Sequence, residues 1–470
     1  MRAFLSVMAM AAALASAPAR AEDLIIDHVT LLDGTGTPAR ADMSVGIDKG
    51  RFTFIAPTAS APRASGRHMD AKGQFLIPGL IETHAHIRLP SNANPAAEAP
   101  LDENDLPIQP TYSAAELEKA HEMGVGVLAG YLYSGVTTLF DAGNYAPYIL
   151  RLRAEERAGK IAAPHIMATG NLVTYPGSHA DAVAVRIADW PADRPKFLAY
   201  LREQKPDIVK ITYEEHGWGT RPMVSLMPLP LMQQIIVEAN RHGVRTVIHT
   251  SNEIRSVEAL SVGADALAHP VIQAPISEGF AREMGAKKTP FATTLTIGDG
   301  YSRLVEHPEY LDQPLYQATL SPQEIETLRK ETLPAWKARG WTWWMKLMTP
   351  VAAENIRKVY EAGGVVAIGT DQSLGPAVHR EMELLQQQGI APAAILRMAT
   401  LNGAMLLGRA ADLGSIECGK LADAVLLSAD PARDINNAKA IVAVIKQGVL
   451  VDEDKLPLPG GRRGLRRPLR

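Results

Sequence analysis

Eight short apolar runs, recurring between stretches of helical spacing, constrain this chain more than any other feature. They fall at residues 75–81, 136–140, 165–169, 207–212, 245–250, 264–269, 291–295 and 365–370. Most are continuously apolar, as strands buried on both faces of a parallel sheet are. Segments 114–132, 229–242 and 351–362 carry helical spacing, and Gly243 and Gly363 stand just past two of them as stops. Eight β-then-α units predict an α/β fold, a TIM-type (β/α)8 barrel over residues 77–408. Residues 22–76 and 409–456 read as short strands and turns. They predict a small β-sandwich domain built from both chain ends. A Trp-rich insertion, 297–350, is too long for an ordinary connection. It carries Trp336, Trp341, Trp343 and Trp344, and reads either as a lid or as helices packed on the barrel wall.

The termini read differently. Arg2, the apolar stretch 5–15 and Ala19-Arg20-Ala21 before Glu22 predict a signal peptide, 1–21, and a periplasmic or secreted mature chain. No later run of about 18 apolar residues follows, so no membrane span is expected in the mature chain. With 48 basic and 51 acidic residues the net charge is -3, so no basic field invites nucleic acid. The arginines of 457–470 read as a solvated, flexible tail. One cysteine, Cys418, excludes an intrachain disulfide and a thiolate-only metal site. Gly34-x-Gly36-x-x-Ala39 matches a dinucleotide loop, but an alternating strand at 43–48 follows where that fingerprint needs a helix. A hairpin is predicted there.

Chemistry in such a barrel sits at the C-terminal ends of the strands. The first run leads into Thr83-His84-Ala85-His86, whose two imidazoles face one side because alternate strand residues do. Lys210 lies in the fourth run, His249 ends the fifth, His269 the sixth, and Asp371 follows the eighth. Each alone reads as an ordinary core or strand-end residue. Together, unpaired in a barrel mouth, they would be costly, and a bound metal accounts for all of them. Nitrogen-rich, oxygen-tempered donors suit Zn²⁺ first, with Mn²⁺, Co²⁺ or Fe²⁺ compatible. A buried Lys210 with lowered pKa can lose its proton and react with carbon dioxide. The resulting carbamate could bridge two ions.

Pro78-Gly-Leu-Ile-Glu-Thr-His84-Ala-His86, Lys210, His249, His269 and Gly369-Thr-Asp371 resemble the metal-dependent amidohydrolase superfamily. Ala399-Thr-Leu-Asn-Gly-Ala404 and Gly414-Ser-Ile-Glu-Cys-Gly-Lys-Leu-Ala-Asp423 extend the resemblance across nearly all of the mature chain. The interval from His249 to His269, and Pro176-Gly-Ser-His179 after the third run, are similar to its imidazolonepropionase-like and prolidase-like branch. The resemblance implies two divalent metal ions. His84, His86 and Asp371 would hold one, His249 and His269 the other, and an N6-carboxylated Lys210 would bridge them. It implies hydrolysis of an amide, lactam, N-acyl amino acid or dipeptide by a metal-activated hydroxide, with Asp371 as the catalytic proton carrier. His179 and Tyr213 are expected to contact the small-molecule substrate. Ser251 stands where many prolidase-like members have Tyr, which disfavours Xaa-Pro dipeptides. A lactonase or phosphotriesterase would use the same centre, and a periplasmic metal- or solute-binding protein would need no Asp371. Oligomeric state is not legible. N-terminal sequencing of exported protein should begin at Glu22; material still beginning at Met1 would remove the export assignment.

Overall fold

The computed structural model describes residues 20–87, 89, 101–215 and 223–461. Nearly all of the predicted leader, and the arginines of 462–470, lie outside the described residues. The described chain is an α/β fold with parallel sheets. Seven parallel strands lie in the order Ala184–Arg186, Leu172–Thr174, Ile208–Thr212, Arg245–His249, Ala266–Ala268, Phe291–Ala292 and Val366–Ala367. Leu80–Ala85, Val136–Asp141 and His165–Ala168 form a second parallel sheet. Backbone hydrogen bonds join the two. Thr83 N donates to Ile368 O (3.0 Å), Asp371 N to His84 O (2.7 Å) and Asp207 N to Ala168 O (2.9 Å). Leu172–Thr174 and Ala184–Arg186 were not expected. Each is three residues long, too short to carry a periodic signal.

A third sheet of eight strands draws on both chain ends. Arg20–Leu31, Arg40–Asp48, Arg51–Pro57, Ala64–Asp70 and Phe75–Pro78 come from one end, and Ala424–Leu427, Ile441–Lys446 and Val449–Leu450 from the other. The glycine pair at 34 and 36 leads into the antiparallel pair Arg40–Asp48 and Arg51–Pro57, so the hairpin reading holds and no helix follows the glycines.

The first apolar run, 75–81, is two strands. Phe75–Pro78 pairs antiparallel with Ala424–Leu427, whereas Leu80–Ala85 pairs parallel with Val136–Asp141. Pro78 has no N–H to continue a ladder. Gly79 marks a close approach, because a Cβ there would fall 2.0 Å from Thr137 Oγ1. The start of the expected tail is also corrected. Leu458 is buried with Leu456 against Ala129, Leu132 and Tyr133, and Gly460 N donates to Ala318 O at 3.1 Å. Burying a leucine is worth roughly 1.5–3 kcal/mol, which outweighs solvating this stretch.

The helix expected at 351–362 begins at Trp341 and runs through Pro350 to Glu361. One lost backbone bond is tolerated because Trp341, Met345, Ala352, Ala353 and Ile356 form a continuous buried stripe. Helix Ala114–Tyr133 starts on a capping box: Ser113 Oγ accepts from Glu116 N, and the Glu116 carboxylate accepts from Ser113 N. Gly79→Ala should overpack the junction at Thr137 and lower stability by about 1–3 kcal/mol. Urea unfolding checks it, and an unchanged midpoint would show that the junction yields.

Candidate active site

The C-terminal ends of the parallel strands open on a cleft. His84, His86, His179, Lys210, His249, His269 and Asp371 all line it. The structure thus brings together every predicted site residue except Tyr213. Tyr213 is buried with its hydroxyl donating to Glu258 Oε2 at 2.8 Å, and Arg255 lies 5.8 Å from its ring centre. Strand alternation is the reason. Lys210 and Thr212 face the cleft, so Tyr213 between Thr212 and Glu214 turns outward. The expectation that Tyr213 touches substrate is corrected.

The same alternation singles out a residue that the sequence reading passed over. Glu214, the next even position, is fully buried. It pairs closely with His249 Nε2 and accepts from Ser251 Oγ. Burial alone would raise its pKa, but the charge and hydrogen bond of His249 hold it down to about 2. Gln273 Nε2 donates to Ser251 Oγ at 3.0 Å, so the serine in the place of the branch's tyrosine belongs to a support for His249.

The other imidazoles are held similarly. His86 Nδ1 pairs with Gly143 O at 2.7 Å and His269 Nδ1 with Thr294 Oγ1 at 2.9 Å. Asp141 fixes the loop beyond His86, accepting from Ile87 N (2.8 Å) and Asn144 Nδ2 (3.0 Å). Below His84, Glu82 Oε1 accepts from His84 N at 2.8 Å and Thr370 N at 3.0 Å, and burial pushes its pKa up to about 8. Gly369 lets the eighth strand end lie against the first, since a Cβ there would fall 2.9 Å from His84 Cβ. His269 and Asp371 hold left-handed backbone, φ 75° and 55°. Such conformations cost a non-glycine residue about 1–3 kcal/mol and cluster at functional sites.

The electrostatics test whether these groups fit a metal. Asp371 Oδ1 lies 3.2 Å from His86 Nε2 and 3.8 Å from His84 Nε2. Lys210 Nζ lies 3.2 Å from His84 Nε2. Burial drives the Lys210 pKa down to about 7, against the pull of Asp371 and Asp141. Burial and the neighbouring Lys210 hold His84 well below its ordinary value, and burial with the neighbouring His249 does the same to His269. For His86, burial acts downward but the hydrogen bond and charge of Asp371 prevail and raise it. Among the described residues, His84 Nδ1 is buried with no hydrogen-bond partner. Metal ligands must be deprotonated; burial meets this for His84 and His269, and His86, raised by Asp371, would release a proton on binding an ion. Two groups have donor atoms within 4.8 Å of one another: His84, His269 and Asp371, and His179, Glu214 and His249. This grouping cuts across the expected pairing of His249 with His269.

Imidazoles, a carboxylate and a buried amine turned on one another at the mouths of parallel strands make a set that suits a metal ion. The sequence profile of the amidohydrolase family matches residues 75–451, and the chain belongs to that family. It is 26% identical over 422 residues to an imidazolonepropionase of Streptomyces griseus, covering 86% of this chain and 90% of the relative. It is 24% identical over 421 residues to a 5-methylthioadenosine/S-adenosylhomocysteine deaminase of Natronomonas pharaonis, covering 84% and 81%. Molinate hydrolase superposes with a TM-score of 0.70 at 22% identity, covering 93% of this chain and 96% of that one. A Xaa-Pro dipeptidase superposes with 0.67 at 20%, covering 91% and 99%. The resemblance to the imidazolonepropionase-like and prolidase-like branch therefore holds.

Glu214→Gln keeps the shape but removes the charge beside His249. Partners behind a metal-ligating histidine typically carry about 10–100-fold in metal affinity, so chelator competition should find weaker binding of that order. Undiminished affinity would reduce Glu214 to a packing role.

Proposed function

We propose that this protein hydrolyses a carbon–nitrogen bond of an amide, lactam, N-acyl amino acid or dipeptide with two divalent metal ions, Zn²⁺ foremost, in a closed (β/α)8 barrel flanked by a β-sandwich domain from both chain ends. The backbone bonds between the two parallel sheets support the barrel. The predicted leader supports export. The observation that carries the function is Lys210 Nζ at 3.2 Å from His84 Nε2, a buried amine beside a neutral imidazole at the strand ends.

In this reading His84, His86 and Asp371 would hold one ion and His249 and His269 the other. The closeness of His269 to His84 and Asp371 supports adjacent ions. The neutral amine of Lys210 could react with carbon dioxide, losing one proton, and the resulting carbamate would offer two oxygens as further ligands. When bound, such ions lower the pKa of a water and polarise a carbonyl oxygen. Asp371 takes the proton of the attacking water on its carboxylate and delivers it to the leaving amine. His179, stacked on His249 with ring centres 4.5 Å apart, faces the cleft and donates to the carbonyl oxygen as it gains charge. Glu214 behind His249 keeps that ring in place.

Turnover and metal content, measured together across variants, test this. Wild type should hold about two ions per chain. Asp371→Asn should lose about 10²–10⁴ in kcat while keeping most of its metal, an outcome that a binding protein would not give. His84→Ala should lose metal and activity together. Lys210→Ala should lose metal and recover part of its activity with a short carboxylic acid. One ion in both wild type and Lys210→Ala would sink the two-metal reading, and near-normal turnover in Asp371→Asn would sink the proton-carrier role.

A further inference from the structure

The cleft has two chemically distinct halves. Its floor is made of the strand-end imidazoles, Lys210 and Asp371. One wall comes wholly from the long connection after the seventh strand, through Ile297, Tyr301, Trp341, Trp344 and Met345. These side chains are aromatic, aliphatic or thioether.

This wall is held in place from behind. The Tyr301 ring meets Trp336 edge-on at 4.5 Å and Trp341 at 4.8 Å. Thr342 Oγ1 donates to Tyr301 O at 3.0 Å, tying helix Trp341–Glu361 to helix Leu295–Glu306. Glu381 secures the start of the second helix, accepting from Leu295 N and Thr296 N, each at 2.8 Å. Asp299 on that helix is gripped by Arg303 at 2.6 Å and Arg380 at 2.9 Å. A surface fixed in this way binds without first paying ordering entropy.

We propose that the wall is a specificity subsite for an uncharged aromatic or bulky alicyclic group next to the scissile carbonyl–nitrogen bond. The inference rests on the hydrolase reading above and narrows its substrates to ring-bearing amides. The reason is desolvation. A ring laid on Trp344 and Tyr301 removes apolar surface from water on both partners and adds aromatic contact. A charged substituent there would lose its hydration against five side chains none of which carries a charge. Dipeptides with charged ends fit this half of the cleft poorly, and a small acetyl group leaves it uncovered.

The test uses the metal-loaded full chain and two sets of uncharged amides. One carries phenylacetyl, cyclohexylacetyl or acetyl on methylamine; the other carries the ring on the amine of an acetamide. At least one ring-bearing series should exceed N-methylacetamide in kcat/KM by about tenfold or more, the ratio that 1.4 kcal/mol of added contact gives. Trp344→Ala should cut that preference, and Trp344→Phe should restore most of it. Calorimetric titration with phenylacetone, which has the ring and carbonyl but no C–N bond, reads the subsite without turnover. Its affinity should fall about tenfold in Trp344→Ala and return in Trp344→Phe. Phenylacetone binding that depends on Trp344, with no amide turned over, would keep the subsite and overturn the hydrolase reading. Acetyl and ring-bearing amides cleaved alike, or phenylacetone binding indifferent to Trp344, would overturn the subsite and leave the hydrolase reading standing.

Discussion

Two nitrogens 3.2 Å apart, Lys210 Nζ and His84 Nε2, sit buried at the heart of this protein. They share that space only if the pair carries less charge than two ordinary bases would, and burial enforces this on both. Much of the local structure follows from holding them there. Glu82 fixes the backbone of His84 and Thr370 at once, and Gly369 lets those two strand ends touch. Left-handed backbone at His269 and Asp371 accompanies two more cleft-lining candidate ligands. The strain and desolvation stored here are offset by the continuous apolar packing beneath, where Leu80, Leu139, Val209 and Ile248 are wholly buried.

Around this centre three of the imidazoles are each oriented by a hydrogen-bond partner from behind. The partners differ: a backbone carbonyl for His86, a hydroxyl for His269, a carboxylate for His249. A carboxylate, a carbonyl and a hydroxyl thus fix three rings of one residue type in three different ways.

The alternating pattern of short strands and helices, the strand-end residues and the hairpin at the glycine pair were legible because each is written in local sequence. Periodicity predicts helix Leu229–Arg241 almost to its ends. The break at Gly79 was not legible, because the 75–81 run is uniformly apolar and only Thr137, distant in sequence, forbids a side chain there. Glu214 lies two residues past the cleft-facing Thr212, so strand alternation alone points it the same way. Tyr213 looked like a substrate contact by proximity to Lys210, and proximity along a strand is what alternation undoes. The fixed character of the Trp-rich segment depends on Glu381, Arg380 and Thr342, whose pairing with it no local pattern encodes.

The strand Phe75–Pro78 hydrogen-bonds with Ala424–Leu427, and Leu80–Ala85 begins two residues later. A segment from late in the sequence, residues 424–427, is thus one neighbour of the segment that leads into the strand bearing His84 and His86. Its other neighbour is Arg20–Leu31, from early in the sequence, so the root of that strand is held on both sides. The geometry at His84 and His86 in this sense depends on pairing between distant parts of the sequence: a fragment holding every candidate ligand but ending before residue 424 would lack one of the two strands that clasp the segment leading into them.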